Sequence, residues 1–414
     1  MLISARGGDF LRRMALKPMD VIVIGGGVGG LLAARRLAEG GARVIVFEAN
    51  RRIGGRMQGI DAPTGRVPLG ARYVAAHHQV LLGLIAELGV SLVEHVDSAC
   101  AVPERLFLGG RQAGEAARWR LAAEFERSLG LLARRAGRPS AGTGQRVEDW
   151  LRSKGLSRAA AALFQDAGPG TMSLPALLAM LRAAPDVSGF ERFRIKDPMQ
   201  VVERLAGGGF PVATGEPVTG LWRSGGVLCV ALRGGLLVRA PNVVVALPHT
   251  SLPMLLPAVA RSIPGLRMVQ VRLVAWRSPD ARPGQLALSD GAVRACWAEQ
   301  LDAGTYVYAM IPEGSALTSA PVAKLRNEVL QMLSPEVHLD ERGFELDWRR
   351  RCGGTWPQWA PGPLPPTPPS ETPMSGVHLV GDYIEPGFTG YMEGSLRSAV
   401  RAAGRILDAH PPPG

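Results

Sequence analysis

The chain has 414 residues and a formal net charge of +11, enough length for two or three lobes, and no apolar run reaches the ~20 residues that a membrane-spanning helix needs. Of its 47 basic residues only Lys17, Lys154, Lys196 and Lys324 are lysine; the arginines are spread without a basic run interleaved with aromatics, which argues against a nucleic-acid partner and leaves an anionic substrate or a loose membrane-surface contact open. Cys100, Cys229, Cys296 and Cys352 are scattered, with no CxxC pair or Cys/His ligand spacing, so neither a structural metal nor a disulfide framework is implied.

Residues 1–18 read as a disordered extension. Arg12-Arg13-Met14-Ala15-Leu16-Lys17 faintly matches a twin-arginine export signal, but neither a separate apolar segment nor a cleavage site follows it. An upstream start, with Met14 or Met19 as alternatives, is the other reading, and a cytoplasmic location is expected. Val21-Ile22-Val23-Ile24 is an unbroken β-branched run, as expected of a strand buried on both faces. Gly25, Gly27 and Gly30 then form a G-x-G-x-x-G turn: a tight bend, a close approach for a pyrophosphate, and close packing of the helix that follows. Arg43 to Phe47 reads as the next strand, and Glu48 stands at its end, about twenty residues past the turn, where an acid binds a ribose 2′-OH. Strand, turn, helix, strand and acid in that order predict dinucleotide binding, with the helix N-terminus aimed at the phosphates.

The next residues narrow the cofactor. Glu48-Ala49-Asn50-Arg51-Arg52-Ile53-Gly54-Gly55-Arg56 resembles the E-x-x-x-R-x-G-G-R signature of the FAD-dependent amine oxidase and phytoene desaturase superfamily. Val67-Pro68-Leu69-Gly70-Ala71-Arg72-Tyr73-Val74 is similar to that superfamily's segment beside the flavin ring, where small residues at Gly70 and Ala71 suit a backbone against a planar group. Val377-His378-Leu379-Val380-Gly381-Asp382, followed by Thr389-Gly390-Tyr391-Met392-Glu393-Gly394-Ser395, resembles its closing motif, with a helix running to about Leu407. The resemblance spans nearly the whole chain.

Between these motifs, Val80 to Leu88 has helical spacing, with Gly89 as its cap. About Leu106 to Phe193 reads as a helical insert over the active site, with a loop at Gly137 to Gly144. Pro198 to Leu205 reads as the helix re-entering the nucleotide domain, with Lys196-Asp197-Pro198 where relatives carry a glycine pair. Pro217 to Leu221 opens a β-meander continued by Val227 to Leu232 and Leu236 to Arg239. Asn242 to Leu247 is a buried strand, Arg267 to Trp276 a strand of a second sheet, and Asn327 to Leu333 a helix. Pro357 to Pro373 is an extended loop or a linker.

The resemblance implies an α/β architecture: a Rossmann-type FAD-binding domain (residues 19–75, 198–250 and 350–414) with a discontinuous substrate domain, helical over 76–197 and a mixed sheet over 251–349. It implies cofactor contacts from Gly25, Gly27, Gly29, Gly30, Glu48, Ala49, Arg52, Gly55, Arg56, Gly70, Ala71, Arg72, Val218, Gly381, Asp382 and Met392. Arg56 would hold the pyrophosphate, Val218 the adenine through its backbone and Asp382 the ribityl chain. The Met392 N–H would face the flavin edge that gains charge on reduction. Tyr391 and Trp356 would flank the substrate as two aromatic walls. The activity implied is hydride transfer from a C–H next to an amine to flavin N5, then imine hydrolysis and flavin reoxidation by oxygen. The alternative is a desaturase or dehydrogenase acting on C–C or C–N bonds of an apolar substrate with another acceptor. It draws on the absence of lysine at Gln270, Val271 and Arg272, where amine-oxidising relatives often keep one. A flavin-binding protein without turnover is a third reading, opposed by the intact Tyr391 motif. FAD is expected to be non-covalent, because Cys352 lacks the Cys-Tyr pattern of covalently linked relatives. His77 and His78 read as loop residues and His249 as a turn residue. Arg72 is a secondary candidate for holding a substrate carboxylate. A small-molecule substrate is expected, with no nucleic acid, no metal and no integral membrane segment; the oligomeric state stays open.

Overall fold

The computed structural model describes residues 2–4, 18–63, 65–94, 102–137, 144–157, 172–183, 193–263, 265–352, 354–362 and 372–409. A six-stranded parallel sheet runs in the order Leu2–Ser4, Val212–Thr214, Val44–Glu48, Val21–Ile24, Asn242–Val245, Val377–Leu379. Its central strand Val21–Ile24 is buried throughout, and its alternate side chains serve two cores. Val21 and Val23 pack with the helix Val28–Glu39 and the C-terminal helix Met392–Ala409. Ile22 and Ile24 pack with the antiparallel meander Val218–Ser224, Val227–Leu232 and Leu237–Ala240. Two covered faces explain why these strands are continuous hydrophobic runs.

The helix after the segment Val67 to Val74, Gln79–Glu87, ends as expected at Gly89. The Gly89 and Val90 N–H groups donate to Ala86 and Ile85 carbonyls at 3.1 and 3.0 Å, the paired bonds of a glycine-ended helix. At the re-entry helix Pro198–Ala206, Asp197 supplies the N-cap, its side chain accepting from the Met199 N–H at 3.0 Å, and Pro198 takes the first helical turn.

A second, seven-stranded sheet runs Gly343–Glu345, Val271–Arg277, Gly304–Pro312, Ala295–Leu301, Leu286–Ser289, Arg105–Leu108, Arg111–Gln112. The last two strands correct the reading of 106–193 as wholly helical. Arg105–Leu108 and Arg111–Gln112 form a hairpin through Gly109-Gly110, both with positive φ (57° and 75°), which is the turn that matches strand twist. Helices Glu115–Ala136, Val147–Ser153 and Leu174–Ala183 follow; the Gly137–Gly144 loop lies largely outside the described residues.

Two further readings change. The expected strand Arg267 to Trp276 breaks at Gln270: Leu266–Val269 pairs with Trp356–Trp359, while Val271–Arg277 joins the large sheet. That pairing also makes Pro357 part of a strand, whereas 363–371 lie outside the described residues. Within the segment read as a disordered extension, Leu2–Ser4 pairs with Val212–Thr214 as the edge strand, the unpaired backbone of a sheet edge being a ready template.

Candidate active site

A cavity of about 1060 Å³ runs from the glycine turn to the space between the seven-stranded sheet and the helices Glu115–Ala136 and Leu174–Ala183. At the turn, Gly25 has φ +111°, and its N–H donates to the Phe47 carbonyl at 2.8 Å. A Cβ at Gly30 would lie 2.1 Å from the Gly25 carbonyl oxygen, so the fold itself demands that glycine. A Cβ at Gly27 would meet nothing closer than 3.9 Å. The backbone at Gly27 is thus open toward the cavity, at the start of the helix Val28–Glu39. Glu48 is buried; its Oε2 accepts from the Gly26 N–H at 2.7 Å and its Oε1 from the backbone and side-chain N–H groups of Asn50 at 2.8 Å each. The Gly54 N–H bonds the Gly26 carbonyl at 2.7 Å, laying the second glycine motif along the first.

The N- and C-terminal motifs meet in one ion pair. Arg56 donates from both terminal nitrogens to Asp382, at 2.7 and 2.8 Å, a bidentate fork with a carboxylate only 2% exposed. Asp382 follows Gly381, whose N–H bonds the Ser398 hydroxyl of the C-terminal helix at 3.0 Å. Beside them Cys352 is buried, and that burial pushes its thiol up to about 11.

Farther in, Tyr391 and Trp356 both line the cavity, and a Cβ on Gly390 would stand 4.0 Å from the Trp356 side chain. The same cavity is lined by apolar side chains, Phe125, Leu129, Leu132, Met180 and Leu181 from the helices, Leu286, Leu288 and Met310 from the sheet, together with Arg294 and Gln358. The Tyr391 ring rests against His78, centroids 5.0 Å apart. His78 is fully buried, its Nδ1 accepts from the Ala75 N–H at 3.2 Å, and burial with the charges of His77 and Arg397 lowers it to about 3. It is a neutral core residue rather than the surface loop residue expected. Glu393, inside the closing motif, faces away from the cavity. It accepts from the first N–H groups of the helix Gln79–Glu87, Val80 at 3.1 Å and Leu81 at 2.8 Å, and from Arg397 at 2.7 Å.

Arg72 lines the cavity, yet its guanidinium is committed. It bonds Glu299 at 2.8 and 3.3 Å and lies over the rings of Tyr308 and Tyr73, 4.5 and 4.7 Å from their centroids. Glu299 also receives the Trp297 indole N–H at 2.7 Å, the Tyr73 hydroxyl and, at 3.4 Å, Arg194. Burial alone would raise this carboxyl, but Arg72, Tyr73 and Trp297 outweigh it and hold it at about 2. This geometry leaves Arg72 no bidentate fork for a substrate carboxylate. Val271 lines the cavity, and Arg272 is turned to Glu345 at 2.6 Å; no lysine lines the cavity among the described residues.

The cavity brings together the residues expected from the sequence except two. Arg52 is more than half exposed, 3.9 Å from Asp61, and Val218 lies in the meander; neither lines the cavity. Sequence reasoning passed over Tyr73, Trp297 and the run Arg349-Arg350-Arg351, which all line it. The Trp-Arg-Arg-Arg-Cys string was the visible signal for the last. Among the described residues no His/Cys/Asp/Glu cluster could hold a metal, and no helix is long and apolar enough to cross a membrane.

The profile of a family described as flavin containing amine oxidoreductase matches residues 28–407. An L-amino-acid oxidase of Mus musculus is 41% identical over 80 residues, covering 19% of this chain and 13% of that protein. A flavin-containing amine oxidase B of Homo sapiens is 40% identical over 72 residues, 17% of this chain and 14% of that protein. The matched stretches are thus a small fraction of those relatives' lengths. Among solved structures, wild-type putrescine oxidase bound to putrescine superposes with a TM-score of 0.76 at 19% identity, over 95% of this chain and 99% of that one. Cyclohexylamine oxidase from Brevibacterium oxydans IH-35A gives 0.76 at 20% identity, over 95% and 99%. At such identities the likeness is one of fold.

Proposed function

Because the chain belongs to the flavin containing amine oxidoreductase family, and is therefore an oxidoreductase with an α/β flavin-binding fold, we propose that it oxidises amines with non-covalently bound FAD. On this reading the hydride would leave a C–H next to the nitrogen, the imine would hydrolyse in water, and oxygen would be the final electron acceptor. Bound flavin supplies the two-electron acceptor that no side chain can. The observation that carries this reading is the single cavity joining the open Gly27 backbone, buried Glu48 and Asp382 at one end to Tyr391 and Trp356 at the other. Its residues fit a dinucleotide: a helix start opening onto the cavity for phosphate, a buried acid for ribose and a long slot.

The protein's own contributions follow from the lining. Apolar side chains from the helices and sheet lower the local polarity and favour the neutral amine, whose lone pair assists departure of the hydride. Tyr391 and Trp356 orient the substrate between aromatic faces, which attract its partial positive charge. The Met392 N–H, at the start of the helix Met392–Ala409, offers positive dipole where negative charge develops. Cys352, buried and with its thiol held up at about 11, is mostly protonated near neutral pH, which suits non-covalent binding.

The steady-state test is an amine panel in air, with hydrogen peroxide and the carbonyl product both quantified. Equal amounts of each are expected. One observation favours a second reading: Val271, not lysine, lines the cavity on the strand where related amine oxidases often keep a lysine. On that reading the enzyme is a desaturase or dehydrogenase of an apolar substrate. It would form no peroxide, and product would appear only with an added acceptor dye.

A further inference from the structure

A dinucleotide brings two phosphate charges to the glycine turn, and the residue expected to meet them is engaged elsewhere. Both terminal nitrogens of Arg56 are on Asp382, at 2.7 and 2.8 Å. The helix start at Val28 offers only partial charge. Another cationic element stands at this end of the cavity, the one-turn helix Trp348–Cys352. Asp347 caps it, accepting from the Arg350 N–H at 3.0 Å, and the Asn50 side chain donates to the Arg351 carbonyl at 3.4 Å. Asn50 in turn holds Glu48 at 2.8 Å, so the turn is tied to the acid that ends the strand Val44–Glu48. Arg350 and Arg351 line the same cavity as Gly27 and Asn50. Arg349 is held by Glu313, whereas neither Arg350 nor Arg351 has an ion pair among the described residues.

We infer that Arg350 and Arg351 form the anion site for the phosphates of the flavin nucleotide, an inference that rests on the flavin reading above. Arg350 and Arg351, without an ion pair among the described residues and lining the slot in which the Arg56 fork is neutralised by Asp382, supply the charge that the nucleotide requires. The contribution is specific to phosphate: it acts on FAD, on FMN to a lesser degree, and not on riboflavin.

The experiment is a fluorescence titration of the flavin-free full-length protein with FAD, FMN and riboflavin, at low and high sodium chloride. Wild-type FAD affinity is expected to fall with salt far more steeply than riboflavin affinity. The double variant Arg350→Ala/Arg351→Ala is expected to bind FAD more weakly by on the order of 10-fold or more, with riboflavin affinity retained. Arg350→Lys/Arg351→Lys is expected to recover part of the loss. FAD affinity within twofold of wild type in the alanine variant, or an equal loss for riboflavin, overturns the inference. So does a wild-type FAD affinity indifferent to salt, a result that needs no variant. A wild-type protein that binds no flavin overturns the flavin reading along with it. Arginine-dependent FAD binding without any amine turnover leaves this inference standing and removes only the amine substrate.

Discussion

Replacing Glu299 with alanine should be among the most damaging changes that can be made away from the cofactor. The side chains of Arg72 and Glu299 are 1% and 4% exposed, and the same carboxylate answers Arg194 at 3.4 Å and receives the Trp297 N–H at 2.7 Å. Truncation leaves two buried guanidiniums without their counter-charge, a loss of about 3–5 kcal/mol. The acid limb of stability, set by the same contacts, reaches a similar figure. Glu299 sits at about 2 in the folded chain against an ordinary 4.5, a gap worth about 3 kcal/mol. Because its folded value is the lower one, this stability is complete above its ordinary value and drains away as pH falls from there toward 2. Thermal unfolding followed by circular dichroism at pH 7 should show Glu299→Ala melting on the order of 3–6 °C below wild type, with Glu299→Gln in between. Between pH 5 and 3 the wild type should lose stability faster than Glu299→Ala. A variant melting within a degree or two of wild type, with the same acid limb, would refute the view that this carboxylate holds the wall carrying Tyr73 and Trp297.

Gly30→Ala places a Cβ 2.1 Å from the Gly25 carbonyl oxygen, so it should cost about 1–3 kcal/mol and abolish flavin retention, read from the absorbance of the purified protein. Tyr391→Ala should lower kcat/KM by about 10-fold with flavin content unchanged, and Tyr391→Phe should stay near wild type, as steady-state kinetics will show. With the Cys352 thiol held at about 11 by burial, acid precipitation should release all of the flavin into the supernatant. Retention of colour in the pellet would contradict non-covalent binding.

The nucleotide end was legible because its signal is local. Strand, glycine turn, helix and acid occupy Val21 to Glu48, so the whole pattern stands in one short stretch of sequence. The closing motif around Tyr391 and Met392 was legible for the same reason. What stayed hidden depends on pairings far apart in sequence. Arg56 and Asp382 are 326 residues apart, Arg72 and Glu299 227; both arginines were read as ligand contacts, and the carboxylate partner of each could not be read from the sequence. Glu393 lies in a motif associated with the cofactor, yet it caps a helix 312 residues upstream. The Gly109-Gly110 hairpin was masked by the Ala, Leu and Arg content of its surroundings, which outweighed a two-glycine turn between short apolar runs. The helices over the cavity follow no motif, since a lining of leucine and methionine is set by shape and can be written in many ways.

The most direct test of the central claim is the visible spectrum of FAD-loaded protein titrated with amines in the absence of oxygen, followed by readmission of air. An amine that bleaches the flavin bands, with recovery in air, is the result that the amine-oxidase proposal predicts, because one cavity would then take both flavin and amine. Flavin bands that no amine bleaches would contradict amine oxidation and turn attention to the desaturase reading.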